Sequence, residues 1–448
     1  MRRQSKMAER EGFEPPVPFW GTLTFQASPF DHSGISPYLE GTQLIASLSA
    51  YVNVRPRKIR RARGLSPTPF PDRGSGMKVC MQIQAAVDQR AGVGRYVHTL
   101  VPELAACRGD DELSGFYFDF RRKGSPFPPG LIREEACRAV PGALVQQAWK
   151  RLGLPAYTRF APEADVHHFP NFIIPPLPPG PKAVVNIHDL CFLKCPETME
   201  PKNRAYLRKR MPKTLRRADR ILTISETMAT ELRDAFDLPE DKVVATLLGP
   251  PPALRAPDDV EARTRVRALG IDKPFLLHVG TLEPRKNHRF LFQVFERLQY
   301  FDGTLVLCGM RGWQTEPILE AMRTSPAADR ILHLDYVDDT DLASLYGQAE
   351  ALLFPSLYEG FGLPPVEAMR QGCPVIASDG GSLPEVVGNG GVVVPTDDPD
   401  RWTEAIERLF SSPDHRAKLI NAGHTRAAGF SWRRCAEQTW DVYRELAG

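Results

Sequence analysis

No stretch of this chain reaches the 18 or so uninterrupted apolar residues that a membrane-spanning helix needs, which excludes an integral helical membrane protein. Cysteine is sparse and scattered, with eight residues at 80, 107, 137, 191, 195, 308, 373 and 435. They supply neither paired CxxC units for a zinc site nor the dense framework of a secreted scaffold, so they read as reduced thiols used as small hydrophobes. A surplus of one charge is also lacking: 57 Lys+Arg stand against 54 Asp+Glu, a formal net charge of +3 that argues against nucleic acid as the main partner. Nor does an apolar segment follow the basic start, because Met1-Arg2-Arg3 runs into Glu9, Glu11, Glu14 and Pro15-Pro16. Export is not expected and a cytoplasmic protein is.

What is present is an ordinary globular composition, 42% apolar and 25% charged, on 448 residues, a length that suits two or three domains. The charge is uneven. Residues 1–76 carry 11 basic and 6 acidic side chains, so the remainder is slightly acidic. This leader has nine prolines, no helical or strand periodicity, and a basic cluster from Arg55 to Arg63, and is expected to be disordered. Its Ala8–Pro16 stretch resembles a translated tRNA gene, and Met77-Lys78-Val79-Cys80-Met81 reads as the true start of a protein. The competing reading of the leader is a polybasic membrane or nucleic-acid tail.

Beyond Met77, short runs of Val, Ile, Leu and Phe alternate with amphipathic stretches, which predicts βαβ units and parallel sheets. The first half, 77–250, offers strands near 78–83, 114–120, 164–169, 183–187, 220–224 and 243–248. Gly249-Pro250-Pro251-Pro252 and the charged stretch that follows predict a hinge and connecting helix over 251–273. The second half, 274–430, restarts the rhythm with 274–280, 304–308, 331–337, 351–355, 374–378 and 391–394. Residues 431–448 have helical spacing and are expected to pack back on the fold. Two doubly wound Rossmann-like domains should therefore face a central cleft that collects the loops at their strands' carboxyl ends.

Three such loops carry chemistry. Gly92-Val93-Gly94-Arg95-Tyr96 opens a helix and suits an anion, although a tight turn without a ligand explains the glycines as well. Gly280-Thr281-Leu282-Glu283-Pro284-Arg285-Lys286-Asn287 follows the first strand of the second half. Its adjacent guanidinium and ammonium suit a diphosphate better than solvent. Tyr358-Glu359-Gly360-Phe361-Gly362-Leu363-Pro364-Pro365-Val366-Glu367 sets Glu359 in a loop and Glu367 in the first turn of a helix begun by Pro364. Two such carboxylates can face successive polyol portions of one extended ligand, with amides of Phe361, Gly362 and Leu363 in the same pocket. Asp339-Thr340-Asp341 reads as a helix start rather than a metal motif, and no metal or other cofactor is expected. Lys202 to Arg220 holds nine basic side chains interleaved with Tyr206, Leu207, Met211 and Leu215, broken by Pro212. That face suits an anionic membrane surface or a polyprenyl-diphosphate acceptor, or is simply solvated.

These residues resemble retaining glycosyltransferases of family 4, with the GT-B fold. The likeness rests on Gly280 to Asn287, on Glu359 and Glu367, and on Gly372–Ser378 with Pro384-Glu385-Val386. In the first half, Asp165–Asn171, Ile187-His188-Asp189-Leu190 and Thr223–Glu226 resemble the bacterial mannosyltransferase-like branch. The chain departs from the family pattern at Cys191, Cys195 and the triple proline. The resemblance implies that Arg285 and Lys286 hold the donor diphosphate with Gly94 nearby, that Glu367 binds the ribose, and that Glu359 contacts the donor sugar beside the amides of Phe361 to Leu363. His188 would lie near the sugar and leaving group as a catalytic residue together with Glu359, and Val337 near the base. The expected activity is transfer of a hexose, foremost mannose from GDP-mannose, to a lipid-linked or growing surface glycan, at the inner face of the plasma membrane. UDP-glucose or another sugar nucleotide is the same-class alternative, and a non-catalytic glycan-binding scaffold the alternative of another class.

Overall fold

The computed structural model describes residues 76–88, 92–251, 254 and 257–448. The readings of the leader up to residue 75 lie outside them. Two all-parallel sheets form. The first has seven strands in the order β3-β2-β1-β4-β5-β6-β7: β1 Lys78–Gln82, β2 Glu112–Phe118, β3 Arg133–Cys137, β4 Val166–Phe169, β5 Lys182–Ile187, β6 Arg220–Thr223 and β7 Val243–Ala245. The second has six in the order β10-β9-β8-β11-β12-β13: β8 Phe275–Val279, β9 Thr304–Cys308, β10 Ile331–Leu334, β11 Ala351–Phe354, β12 Val375–Ser378 and β13 Val392–Val394. Strand order reverses at β1/β4 and at β8/β11, so the loops after β1 and β8 lie at the switch points where open α/β sheets bind ligands.

The strands form where short apolar runs lie, most of them buried on both faces. β3 is the exception that pattern reading misses. Its sequence Arg133-Glu134-Glu135-Ala136-Cys137 pairs only with β2 and is mostly half-exposed, as suits an edge strand protected by charge. Helix Val93–Cys107 buries Val93, Val97, Leu100, Val101 and Leu104 at helical spacing against the first sheet. The connecting helix spans Asp259–Ala268. The closing helix, Trp432–Ala447, is capped by Ser431 and returns to the first half, where Trp440 Nε1 donates to the Leu104 carbonyl and Tyr443 meets His168. All eight cysteines are free thiols, six of them buried.

Two expectations need correction. Helix Pro201–Arg217 runs unbroken through Pro212, whose missing N–H is tolerated at a turn where Arg208 and Lys209 are exposed. Its apolar residues Leu207, Met211 and Leu215 face inward, so its outer face, Lys202, Arg208, Lys209, Lys213 and Arg216, is charged rather than amphipathic. Glu367, in turn, lies one residue past the first turn, because Gly362 caps helix Leu363–Arg370 and Pro364 is its second residue. Among the described residues, no helix is long and apolar enough to cross a membrane.

Candidate active site

The loop after β8 makes a short turn, Pro284–Lys286, closed by Asn287 in the left-handed conformation at φ 57°. This turn buries both cations, leaving Arg285 7% and Lys286 5% exposed. Glu359 lies between them, with Oε2 2.6 Å from Arg285 Nη1 and Oε1 2.5 Å from Lys286 Nζ. Arg285 also reaches Glu283 Oε1 at 2.8 Å and donates to the Tyr358 carbonyl at 2.8 Å, which ties the two loops together. Burial disfavours the charged form of Glu359, but Arg285 and Lys286 more than offset it and hold the carboxyl down at about 2. Burial pulls Lys286 below the ordinary lysine range, only partly opposed by Glu359. Its ammonium lies 4.9 Å from the centre of the Phe354 ring. Gly280 follows β8 closely packed, since a Cβ there would stand 3.3 Å from Lys286 Cε.

Glu367 is separate from this cluster. It is 1% exposed and accepts a hydrogen bond from Tyr346 Oη at 2.9 Å. Phe361 is buried edge-on to Phe430, and Gly362 adopts φ 103°, a conformation that presents the start of helix Leu363–Arg370 toward the same loop. Leu363 begins that helix. Val337 is half-buried after β10, beside the exposed Tyr336. Asp338 caps the next helix, while Asp339 and Asp341 face Arg95 and Arg265 respectively, so the Asp-x-Asp run is occupied by ion pairs.

The first half brings Gly94, buried in the second position of helix Val93–Cys107, and His188, directly after β5. His188 Nε2 donates to the Pro170 carbonyl at 2.7 Å, which fixes the tautomer with the lone pair on Nδ1. Burial pushes its pKa down to about 4, so the imidazole is neutral at pH 7. The two halves touch directly here. A Cβ on Gly360 would come within 1.8 Å of the His188 carbonyl oxygen, so only glycine fits. Ser225 Oγ bonds both the Gly360 carbonyl and Ser382 Oγ, and Glu385 accepts from the amides of Glu226 and Thr227 at 3.0 and 2.7 Å. Glu385 thus caps a helix of the opposite half. Tyr358 Oη donates to Glu231 at 2.5 Å across the same seam.

The structure therefore gathers Arg285, Lys286 and Glu359 into one contact group, sets Glu367 on a second, and brings Gly360 against His188. Pattern reading overlooked Tyr346 and named Arg95 only as part of the Gly92–Tyr96 run, because the partners of both are distant in sequence. Glu283, Ser225 and Glu385 fell within runs quoted for the resemblance, but no local signal gave their partners.

Two family models match the chain, "Glycosyltransferase Family 4" over residues 90–246 and "Glycosyl transferases group 1" over 261–426. The O-antigen chain mannosyltransferase B of Escherichia coli is 31% identical over 399 residues, an alignment covering 83% of this chain and all of that protein. The MMP alpha-(1->4)-mannosyltransferase of Mycolicibacterium hassiacum is 33% identical over 241 residues, covering 51% of this chain and 55% of the relative. Among solved structures, sucrose-phosphate synthase from Thermosynechococcus elongatus superposes with a TM-score of 0.64 at 21% identity, over 83% of this chain and 99% of its own. Anabaena HepE, in complex with UDP and glucose, superposes at 0.62 and 16% identity, over 82% and 100%. At these identities the superpositions speak for the fold.

Proposed function

The chain belongs to the family 4 glycosyltransferases, hexosyltransferases of the GT-B fold, and on that premise we propose that it moves mannose from GDP-mannose, with retention, to a lipid-linked or growing cell-surface glycan. The observation that carries this reading is the buried pair Arg285 and Lys286 at the switch point of the second sheet. Departure of a nucleoside diphosphate builds negative charge, and preorganised cations in a water-poor cleft stabilise it without reorganising. Relatives named as mannosyltransferases support the choice of sugar.

In this reading Glu367 takes the ribose hydroxyls, Val337 lines the base pocket, and Gly94 and Gly280 let backbone approach the phosphates. Glu359 and the amides of Phe361, Gly362 and Leu363 steady the sugar. The acceptor attacks from the face the diphosphate leaves, and the departing phosphate takes its proton, so neutral His188 shapes the pocket beside the sugar rather than serving as a base. The cations meet the leaving charge, so the reading assigns no metal a role. The exposed basic face of helix Pro201–Arg217 would meet anionic lipid or a polyprenyl-diphosphate acceptor at the inner membrane face, by charge alone, and release in salt.

A transfer screen with purified protein, GDP-mannose, UDP-glucose and other sugar nucleotides tests the proposal. Turnover of GDP-mannose that persists in EDTA is expected. Preference for UDP-glucose would replace the donor, and binding without turnover on any donor would favour a scaffold. Co-sedimentation with anionic vesicles at rising salt checks the membrane face, and absence of binding at low salt would remove it.

A further inference from the structure

Arg95 is the residue of the Gly92–Tyr96 loop that the glycines overshadow. It leaves the first turn of helix Val93–Cys107 in the first half and reaches carboxylates of the second. Its Nη2 lies 3.3 Å from Glu367 Oε1 and 3.9 Å from Asp339 Oδ1. The meeting is incomplete. Tyr346 satisfies Glu367 Oε2, but Glu367 Oε1 and Arg95 Nη2 are both buried and make no hydrogen bond among the described residues. Two complementary polar atoms thus attract by charge without the alignment a built hydrogen bond would have.

A buried carboxylate is stabilised by a counter-charge, and Arg95 is the cation closest to Glu367 among the ion pairs of the described residues. Ribose hydroxyls, as donors, can fill the hydrogen bond at Oε1 that the ion pair leaves open. Arg95 is also the less enclosed partner, its side chain 30% exposed while Glu367 is 1% exposed. It stands beside Gly94 at the positive end of a 15-residue helix, where an anion is favoured. Resting on the reading of Glu367 as the ribose ligand, we propose that Arg95 is a displaceable placeholder. It pairs with Glu367 as the fold places it, yields Oε1 to a ribose hydroxyl when a donor binds, and turns its guanidinium to the donor's diphosphate. Because it belongs to the opposite half, this exchange also reports donor occupancy across the cleft.

The placeholder predicts opposite effects on two ligands of the same pocket. Calorimetric titration of wild type, Arg95→Met, Arg95→Lys and Glu367→Gln with GDP and with guanosine, or with UDP and uridine if those are the binders, separates them. Arg95→Met is expected to bind the nucleoside several-fold tighter, with no ion pair to displace, and the diphosphate about tenfold weaker, with Arg95→Lys recovering part of the diphosphate affinity. Equal changes on both ligands, or weaker nucleoside binding, in Arg95→Met while Glu367→Gln loses the nucleoside would overturn the placeholder and leave the ribose site standing. Unchanged nucleoside binding in Glu367→Gln would overturn the ribose site and the placeholder together. Thermal melts establish folding, and Arg95→Gln repeats the test if Arg95→Met does not fold.

Discussion

The proposed donor site gives Glu359 two tasks that pull against each other. As a sugar contact it would have to be free to meet the donor, yet it is the counter-ion of two buried cations. Removing one partner of a buried pair typically costs about 3–5 kcal/mol, because the remaining charge stays desolvated. Glu359→Gln, which keeps the shape, should therefore lower unfolding free energy by roughly that amount as well as cut transfer by about 100-fold or more. Lys286→Ala should cut transfer similarly with a smaller loss of stability, since Arg285 still pairs with Glu359. Urea titrations beside turnover measurements compare the two, and equal stabilities would contradict the counter-ion role. Tyr346 tests the other carboxylate. Tyr346→Phe deletes the hydrogen bond to Glu367 Oε2, worth about 1.5–3 kcal/mol to a charged acceptor, and should raise KM for the donor while kcat changes little. A kcat loss at constant KM would place Tyr346 in the chemistry instead.

At the scale of elements, the halves are joined by a seam that leaves no room for side-chain growth. The Gly360 loop presses on the strand end that carries His188, and Glu385 caps helix Glu226–Phe236 from the opposite sheet. Gly360→Ala should prop the cleft open, giving a larger radius of gyration by X-ray scattering, unchanged circular dichroism and loss of transfer. An unchanged scattering profile would mean that the seam is not what holds the halves. This seam also marks where legibility stops. Strands buried on both faces announce themselves as apolar runs, so the position of nearly every strand along the chain could be read, but β3 is charged at an edge and has no such run. Arg285, Lys286, Glu359 and Glu367 stand out because charge beside glycine at a strand end is locally unusual. Ser225 and Ser382, 157 residues apart, carry no local pattern, and their pairing exists only once both sheets are built. Pro212 misled for the complementary reason: a local rule for breaking helices was overridden by the burial of Leu207, Met211 and Leu215 on either side.

For the whole molecule, net charge is a poor guide to where charge matters. The formal +3 conceals a basic leader and a slightly acidic remainder, while local positive charge is concentrated in buried Arg285 and Lys286 and on the outer face of helix Pro201–Arg217. Buried histidines govern acid stability more directly. Burial lowers His167, His168, His188 and His278 to about 4, against roughly 6.5 in an unfolded chain. Between those values the unfolded state binds protons that the folded state refuses, so falling pH favours unfolding by up to about 3 kcal/mol for each histidine that stays buried. Glu359 acts later, because its ion pairs are lost only as pH falls below the ordinary carboxylate range toward about 2. The urea midpoint should accordingly be level near pH 7–8, fall steeply from about 6.5 to 4, and keep falling below that. Replacing His278, whose Nε2 makes no hydrogen bond among the described residues, with Gln should flatten part of the upper step, and a midpoint constant from pH 7 to 5 would show that these imidazoles are not held neutral by the fold.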